Sequence, residues 1–239
     1  HRKGRQDAKR GKIFSRLIRE LTVAARLGGA APEDNPRLRA ALDKALSANM
    51  TKDTMDRAVQ RGAGGGEGEN LEEALYEGYG TGGVAILVET MTDNINRTVA
   101  EVRHAFNKAG GNLGTNGSVS YLFKKKGQIQ INDIDNPDKI MDIAIETGAE
   151  DIEINQDKSI TILTEPDDLQ NVLEALKLEG IEIEEGELTL LPESTVSLDL
   201  QASLSVFRLL EMLEDLDDTQ NVHSNAEFSE DLIVNLESS

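Results

Sequence analysis

Apolar positions in the first quarter of the chain recur at helical spacing. Ile13, Phe14, Leu17, Ile18, Leu21, Ala24 and Ala25 follow a 3.6-residue period and predict a helix over residues 8–27, ended by Gly28-Gly29. Leu38, Ala41, Leu42, Ala45 and Leu46 repeat the pattern over 34–49, where Asn35 suits the N-cap and Pro36 the first helical position. A third helix is predicted over 51–62, with Thr51 as N-cap, Asp53 in the first turn and Gly62 as its stop. Short helices with single apolar stripes must bury them against one another, so residues 1–70 read as a helical domain. Five glycines within residues 62–69 read as a flexible hinge.

Beyond the hinge the period changes. Strands are predicted at 74–79 and 84–91, a helix at about 95–109 with Val99, Val102 and Phe106 on its inner face, and a strand at 118–123. Residues 127–191 then alternate as strand 128–131, helix 137–147, strands 151–155 and 159–164, helix 167–179 and strand 182–191. That order, β-α-β-β-α-β, is the ferredoxin-like split unit. A strand near 196–198, a helix at 202–215 and a strand near 219–224 follow. This last piece is too short to stand alone and is expected to pack onto residues 74–126. The fold class is therefore α+β in three domains: helices over 1–70, a central domain of 74–126 plus 192–239, and a ferredoxin-like domain of 127–191 inserted into it.

Charge sharpens the picture. The chain of 239 residues carries a formal net charge of −19. Residues 1–61 nevertheless hold 15 basic against 7 acidic residues, while residues 62–239 hold 10 against 37. A chain sorted this way can offer one pole to a polyanion and repel it with the other. At about 100° per residue, Lys9, Lys12, Arg16, Arg19 and Arg26 share an arc of roughly 100° beside the apolar stripe of the first helix. Arg10 falls inside the apolar arc, so the packed helix is expected to begin after it, leaving Arg2, Lys3, Arg5, Lys9 and Arg10 on a mobile basic arm. Arm and arc together form a candidate phosphate-binding surface. The acidic run 213–218 reads as a solvated stretch.

Composition excludes more than it adds. There is no Cys, hence no disulfide, thiolate metal site or Cys nucleophile. The longest apolar runs, such as residues 84–88, are too short to span a bilayer. His1, His104 and His223 are far apart and lack ligand spacing. No nucleophile, base and orienting group stand in a recognisable set, so no catalytic residue, metal or cofactor is expected. Nor is there a helix-turn-helix or an aromatic platform for bases, and phosphate contacts alone carry no sequence information.

Four long runs, 2–21, 35–58, 76–83 and 93–123, carry a resemblance. They include "RKGRQDAKRGKIFSRLIREL", "YEGYGTGG" and "DNINRTVAEVRHAFNKAGGNLGTNGSVSYLF". The chain resembles the YebC/PmpR family throughout its length. That family includes probable bacterial transcriptional regulators and the mitochondrial translational activator of cytochrome oxidase. Its members usually carry a short segment before "RK", at whose end His1 would stand. The resemblance implies three domains and a cytoplasmic regulator of gene expression that binds DNA through its basic amino-terminal domain. It equally admits a ribosome-associated factor that grips rRNA and relieves stalling, for example on proline-rich sequence. A protein-interaction scaffold is a third reading, and an enzyme built on the glycine loops a fourth. Those loops, 78–83 and 110–117, lack the lysine of a P-loop and read as tight turns. Because they fall in family runs, Asn94, Asn96, Arg97 and Arg103 beside them form a second possible contact surface. The partner is expected to be nucleic acid, with no membrane, and the chain is expected to be a monomer.

Overall fold

The computed structural model describes residues 2–64, 70–132 and 135–237, with side chains for residues 4–236 of these. Residues 65–69 of the expected hinge lie outside the described residues. The chain divides into two compact units, His1–Ser120 with Val196–Ser239, and Tyr121–Thr195.

The first unit opens with α1 (Arg2–Gly28), α2 (Pro36–Ser47) and α3 (Lys52–Ala63). Asn35 caps α2 through its side-chain oxygen, which accepts from Leu38 N, and its amide donates to the carbonyls of Ala24 and Gly29 at the end of α1. One buried side chain thus closes two helix ends. Thr51 caps α3 as expected. Leu17, Leu21, Ala24 and Ala25 meet Leu38, Ala41 and Ala45 of α2 and Met55 and Ala58 of α3 in one core. Gly62 does not stop α3, which runs on to Ala63. Instead it lets two helices touch: a Cβ at Gly62 would lie 2.1 Å from Thr22 O. α1 also begins earlier than expected. The segment 2–10, read as an arm, is helical.

The chain continues through β1 (Glu72–Tyr79), β2 (Ala85–Thr92), α4 (Ile95–Lys108) and β3 (Asn112–Leu113). It then leaves for the second unit: β4 (Phe123–Ile131), α5 (Pro137–Thr147), β5 (Ala149–Ile154), β6 (Ile160–Thr164), α6 (Leu169–Leu178) and β7 (Glu185–Pro192). It returns as β8 (Val196–Ser197), α7 (Leu200–Asp215), β9 (Thr219–Ser224), β10 (Ala226–Glu227) and α8 (Glu230–Glu237).

In the first unit a sheet ordered β3-β1-β2-β9 is antiparallel, with β9 beside β2. α4 and α7 bury Val102, Ala105, Phe106, Val206, Leu209 and Leu213 on it, against Val84, Ile86 and Val88. The late segment therefore packs on the early one, as its length required. No strand forms over 118–122, and of the expected strand at 118–123 only Phe123 is extended, as the start of β4. The N–H groups of Gly117, Val119 and Ser120 donate to the carboxylate of Glu77, so they are not free for a ladder, and Ser120–Leu122 makes a 3-10 turn.

The second unit is a sheet ordered β5-β6-β4-β7, all antiparallel, the order of the ferredoxin-like fold. Ile129, Ile131, Ile160 and Ile162 line the face covered by Ile140, Ala144, Val172, Leu173 and Leu176 of α5 and α6. The unit is a few residues wider at each end than 127–191 because β4 and β7 pair from Phe123↔Pro192 onward.

Candidate nucleic-acid interface

α1 is 27 residues long, yet its first buried side chain is Leu17. Residues 4–11 are exposed throughout. Arg5, Lys9 and Arg10 lie on these first turns. Arg10 stacks its guanidinium over Phe14, 5.3 Å from the ring centroid, which reconciles a cation with the apolar arc. Arg5, Lys9 and Arg26 make no ion pair among the described residues. Arg26 is exposed in the last turn, where the helix dipole favours a cation. The side chains of Arg2 and Lys3 lie outside those described.

Lys12, Arg16 and Arg19 are placed differently. Lys12 Nζ donates to Asp215 Oδ1 at 2.5 Å and to Asp215 O at 2.6 Å. Arg16 Nη1 donates to Glu214 Oε2 at 3.0 Å, and its Nη2 donates to Glu214 O. Arg19 Nη1 donates to Asp218 Oδ1 at 3.1 Å and to Met91 O at 2.7 Å. α7 ends in acidic residues with no basic one in its last turn, a composition that opposes its own dipole. The cations of α1 supply what that end lacks, meeting both its carboxylates and its unpaired carbonyls. Gln220 Nε2 adds a bond to Arg16 O at 3.0 Å.

The acidic run 213–218 is therefore only partly a solvated stretch: Asp215 and Asp217 are exposed, whereas Glu214 is half-buried and Asp218 is buried. Asp218 is 1% exposed and also binds Arg97 Nη2 at 3.0 Å and Thr98 Oγ1 at 2.8 Å. Burial by itself would raise its pKa, but Thr98, Arg19 and Arg97 outweigh burial and hold the carboxyl below its usual range. Arg97, between Asp93 and Asp218, is held above its own usual range by both.

The second candidate surface is divided. Asn94 caps α4 by accepting from Arg97 N at 3.1 Å, and Arg97 clasps Asp218 and Asp93. Asn96 and Arg103 are exposed. The end of the second glycine loop serves an internal anion: Glu77, 4% exposed, accepts from Gly117 N at 2.5 Å, Ser120 N at 2.6 Å and Val119 N at 3.1 Å. Burial raises the Glu77 pKa, and these N–H groups overcome that and lower it. The donors a phosphate would need at residues 117–120 are occupied by the chain's own carboxylate.

His1 lies outside the described residues, and His223 Nε2 pairs with Glu89 Oε2 at 2.8 Å. Among the described residues no group of three or more His, Asp or Glu could hold a metal, and no helix is long and apolar enough to cross a membrane. A groove of about 540 Å³ separates α1 from α7, with Lys9, Lys12, Ile13 and Arg16 on one side and Glu211 and Met212 on the other. Its mixed lining has no enclosed polar site for chemistry. Sequence reasoning missed Glu77, Glu214, Asp215 and Asp218. The one signal available was the length match between an i, i+4, i+7 row of cations and an acidic run behind a helix.

Residues 1–65 match the family model for the TACO1/YebC protein N-terminal domain, and residues 71–226 match that for the TACO1/YebC second and third domain. A "Probable transcriptional regulatory protein" and the "Transcriptional regulatory protein PmpR", both of Pseudomonas aeruginosa, are each 56% identical over 236 residues, covering 99% of this chain and 95% of the relative. A "Probable transcriptional regulatory protein" of Acinetobacter baumannii is 53% identical over 238 residues, with the same coverage. The crystal structure of a conserved hypothetical protein from Aquifex aeolicus superposes with a TM-score of 0.85 at 49% identity, covering 94% of this chain and 93% of that one.

Proposed function

Because this chain belongs to the TACO1/YebC family, we propose that it regulates gene expression by gripping the phosphate backbone of nucleic acid with the exposed amino-terminal turns of α1. One observation carries this reading. Arg5 and Lys9 stand on an exposed stretch of helix and have no carboxylate partner among the described residues, although carboxylates abound elsewhere in the chain. Cations left unpaired in so acidic a protein are best explained by a polyanionic partner. The names of the similar bacterial proteins make transcription the first process to test and DNA the first ligand. On this reading the protein acts in the cytoplasm, as a monomer, without cofactor or catalysis.

The acidic remainder, with 10 basic against 37 acidic residues over 62–239, favours a second reading, in which the same cations hold rRNA on the ribosome, because a single basic pole suits a crowded docking site better than a continuous duplex. Fluorescence anisotropy against salt, with duplex DNA and with structured RNA, tests both. If Arg2, Lys3, Arg5, Lys9 and Arg10 meet about five phosphates, log affinity falls against log salt with a slope near −4.5 on duplex. The triple variant R5E/K9E/R10E flattens that slope by about 2 to 3. A profile independent of salt on every nucleic acid refutes the proposal.

A further inference from the structure

Arg5, Lys9, Lys12, Arg16 and Arg19 lie within about 80° of one another around α1, so they form one row. The row has two halves. Its amino-terminal half has no anionic partner among the described residues. Its carboxy-terminal half is filled by Glu214, Asp215 and Asp218, which reach Arg16, Lys12 and Arg19 in turn. Carboxylates and helix-end carbonyls spaced along a row of cations offer the same chemistry as successive phosphodiester oxygens.

We propose that the carboxylates of Glu214, Asp215 and Asp218 act as a built-in stand-in for phosphate, occupying part of a continuous backbone-binding row until a polyphosphate strand takes over the outer positions. This rests on the reading of α1 as the nucleic-acid surface. The pairs are graded in depth. At the outer end Lys12 is 37% and Asp215 84% exposed, so their bond is open to water and ions and is readily exchanged. At the inner end Asp218 is buried, with Arg97 and Thr98 holding it from a second side. A strand laid along Arg5 and Lys9 runs directly onto Lys12 and Arg16. Those two cations exchange carboxylate for phosphate while the Arg19–Asp218 pair stays closed. The acidic end of α7 thereby sets a threshold: a ligand able to bridge the whole row is held, and one that engages only the first turns is not.

The test uses the full chain and fluorescence anisotropy with a short labelled duplex and with single-stranded RNA of mixed sequence. E214Q/D215N is expected to tighten binding by about 3- to 10-fold. The double variant E211Q/D217N removes the same charge from neighbouring carboxylates that make no ion pair with α1, and it should change affinity less than about 2-fold. Adding K12Q/R16Q to E214Q/D215N should abolish the gain. Unchanged affinity of E214Q/D215N, an equal gain in E211Q/D217N, or a gain that survives K12Q/R16Q each overturns the stand-in role. Failure of the underlying reading looks different: R5E/K9E/R10E would then bind as the natural chain does, whatever the α7 variants do.

Discussion

Arg19 and Asp218, 199 residues apart in the chain, meet at 3.1 Å with the carboxylate almost wholly out of water. The pair joins the first helix to the segment that follows the last long one. Replacing Asp218 by Asn leaves two guanidinium groups without their shared anion. Because Arg19 and Arg97 still reach solvent, the cost falls below that of a fully buried pair, at about 2–3 kcal/mol. Urea unfolding of D218N should report this loss, and T98V should lose about 1 kcal/mol.

Acid should weaken the first unit in a defined window. Both Asp218 and Glu77 have pKa values lowered by folding, from ordinary values of 3.8 and 4.5. A depressed carboxyl stabilises above its unfolded pKa, and the contribution disappears as pH falls through the folded one. These two groups therefore leave stability flat at neutral pH and reduce it progressively below about pH 4.5. Urea midpoints measured against pH should show this limb, and D218N should lose part of its slope.

Glu77 organises the turn that leads out of the first unit. E77A strands three N–H donors at Gly117, Val119 and Ser120, which should cost about 2–3 kcal/mol in all. Hydrogen exchange should locate the effect, with faster exchange at those amides and unchanged protection in β2.

Gly62→Ala reverses a general preference. In an exposed helix interior the change stabilises by up to about 1 kcal/mol. Here the new methyl would meet the carbonyl of Thr22, a backbone atom that cannot rotate away. G62A should instead destabilise by about 1–3 kcal/mol and lower the melting temperature.

Periodicity made the architecture legible. The helix 137–147 and the strand 219–224 stand where the pattern put them, because one-sided burial leaves a period that survives any tertiary detail. The strand expected at 118–123 is reduced to Phe123, where β4 begins, because Glu77, some forty positions away, claims the amides before it. The same limit applied to the cationic row. Sequence showed Lys12, Arg16 and Arg19 on one arc, but their partners lie about two hundred positions further on, inside a run without periodicity. Charge pattern reports which groups seek an anion. It does not report whether the anion is a ligand or the chain itself.

The way the second unit joins the first has a geometric consequence. Phe123 pairs with Pro192, and Glu193 N donates to Leu122 O at 2.9 Å, so the chain enters and leaves side by side. Paired strand residues stand only about 5 Å apart, a gap that a tight reverse turn spans. Residues 121–195 thus close on themselves at the base of β4 and β7, leaving between their two ends a gap no wider than the one a reverse turn bridges.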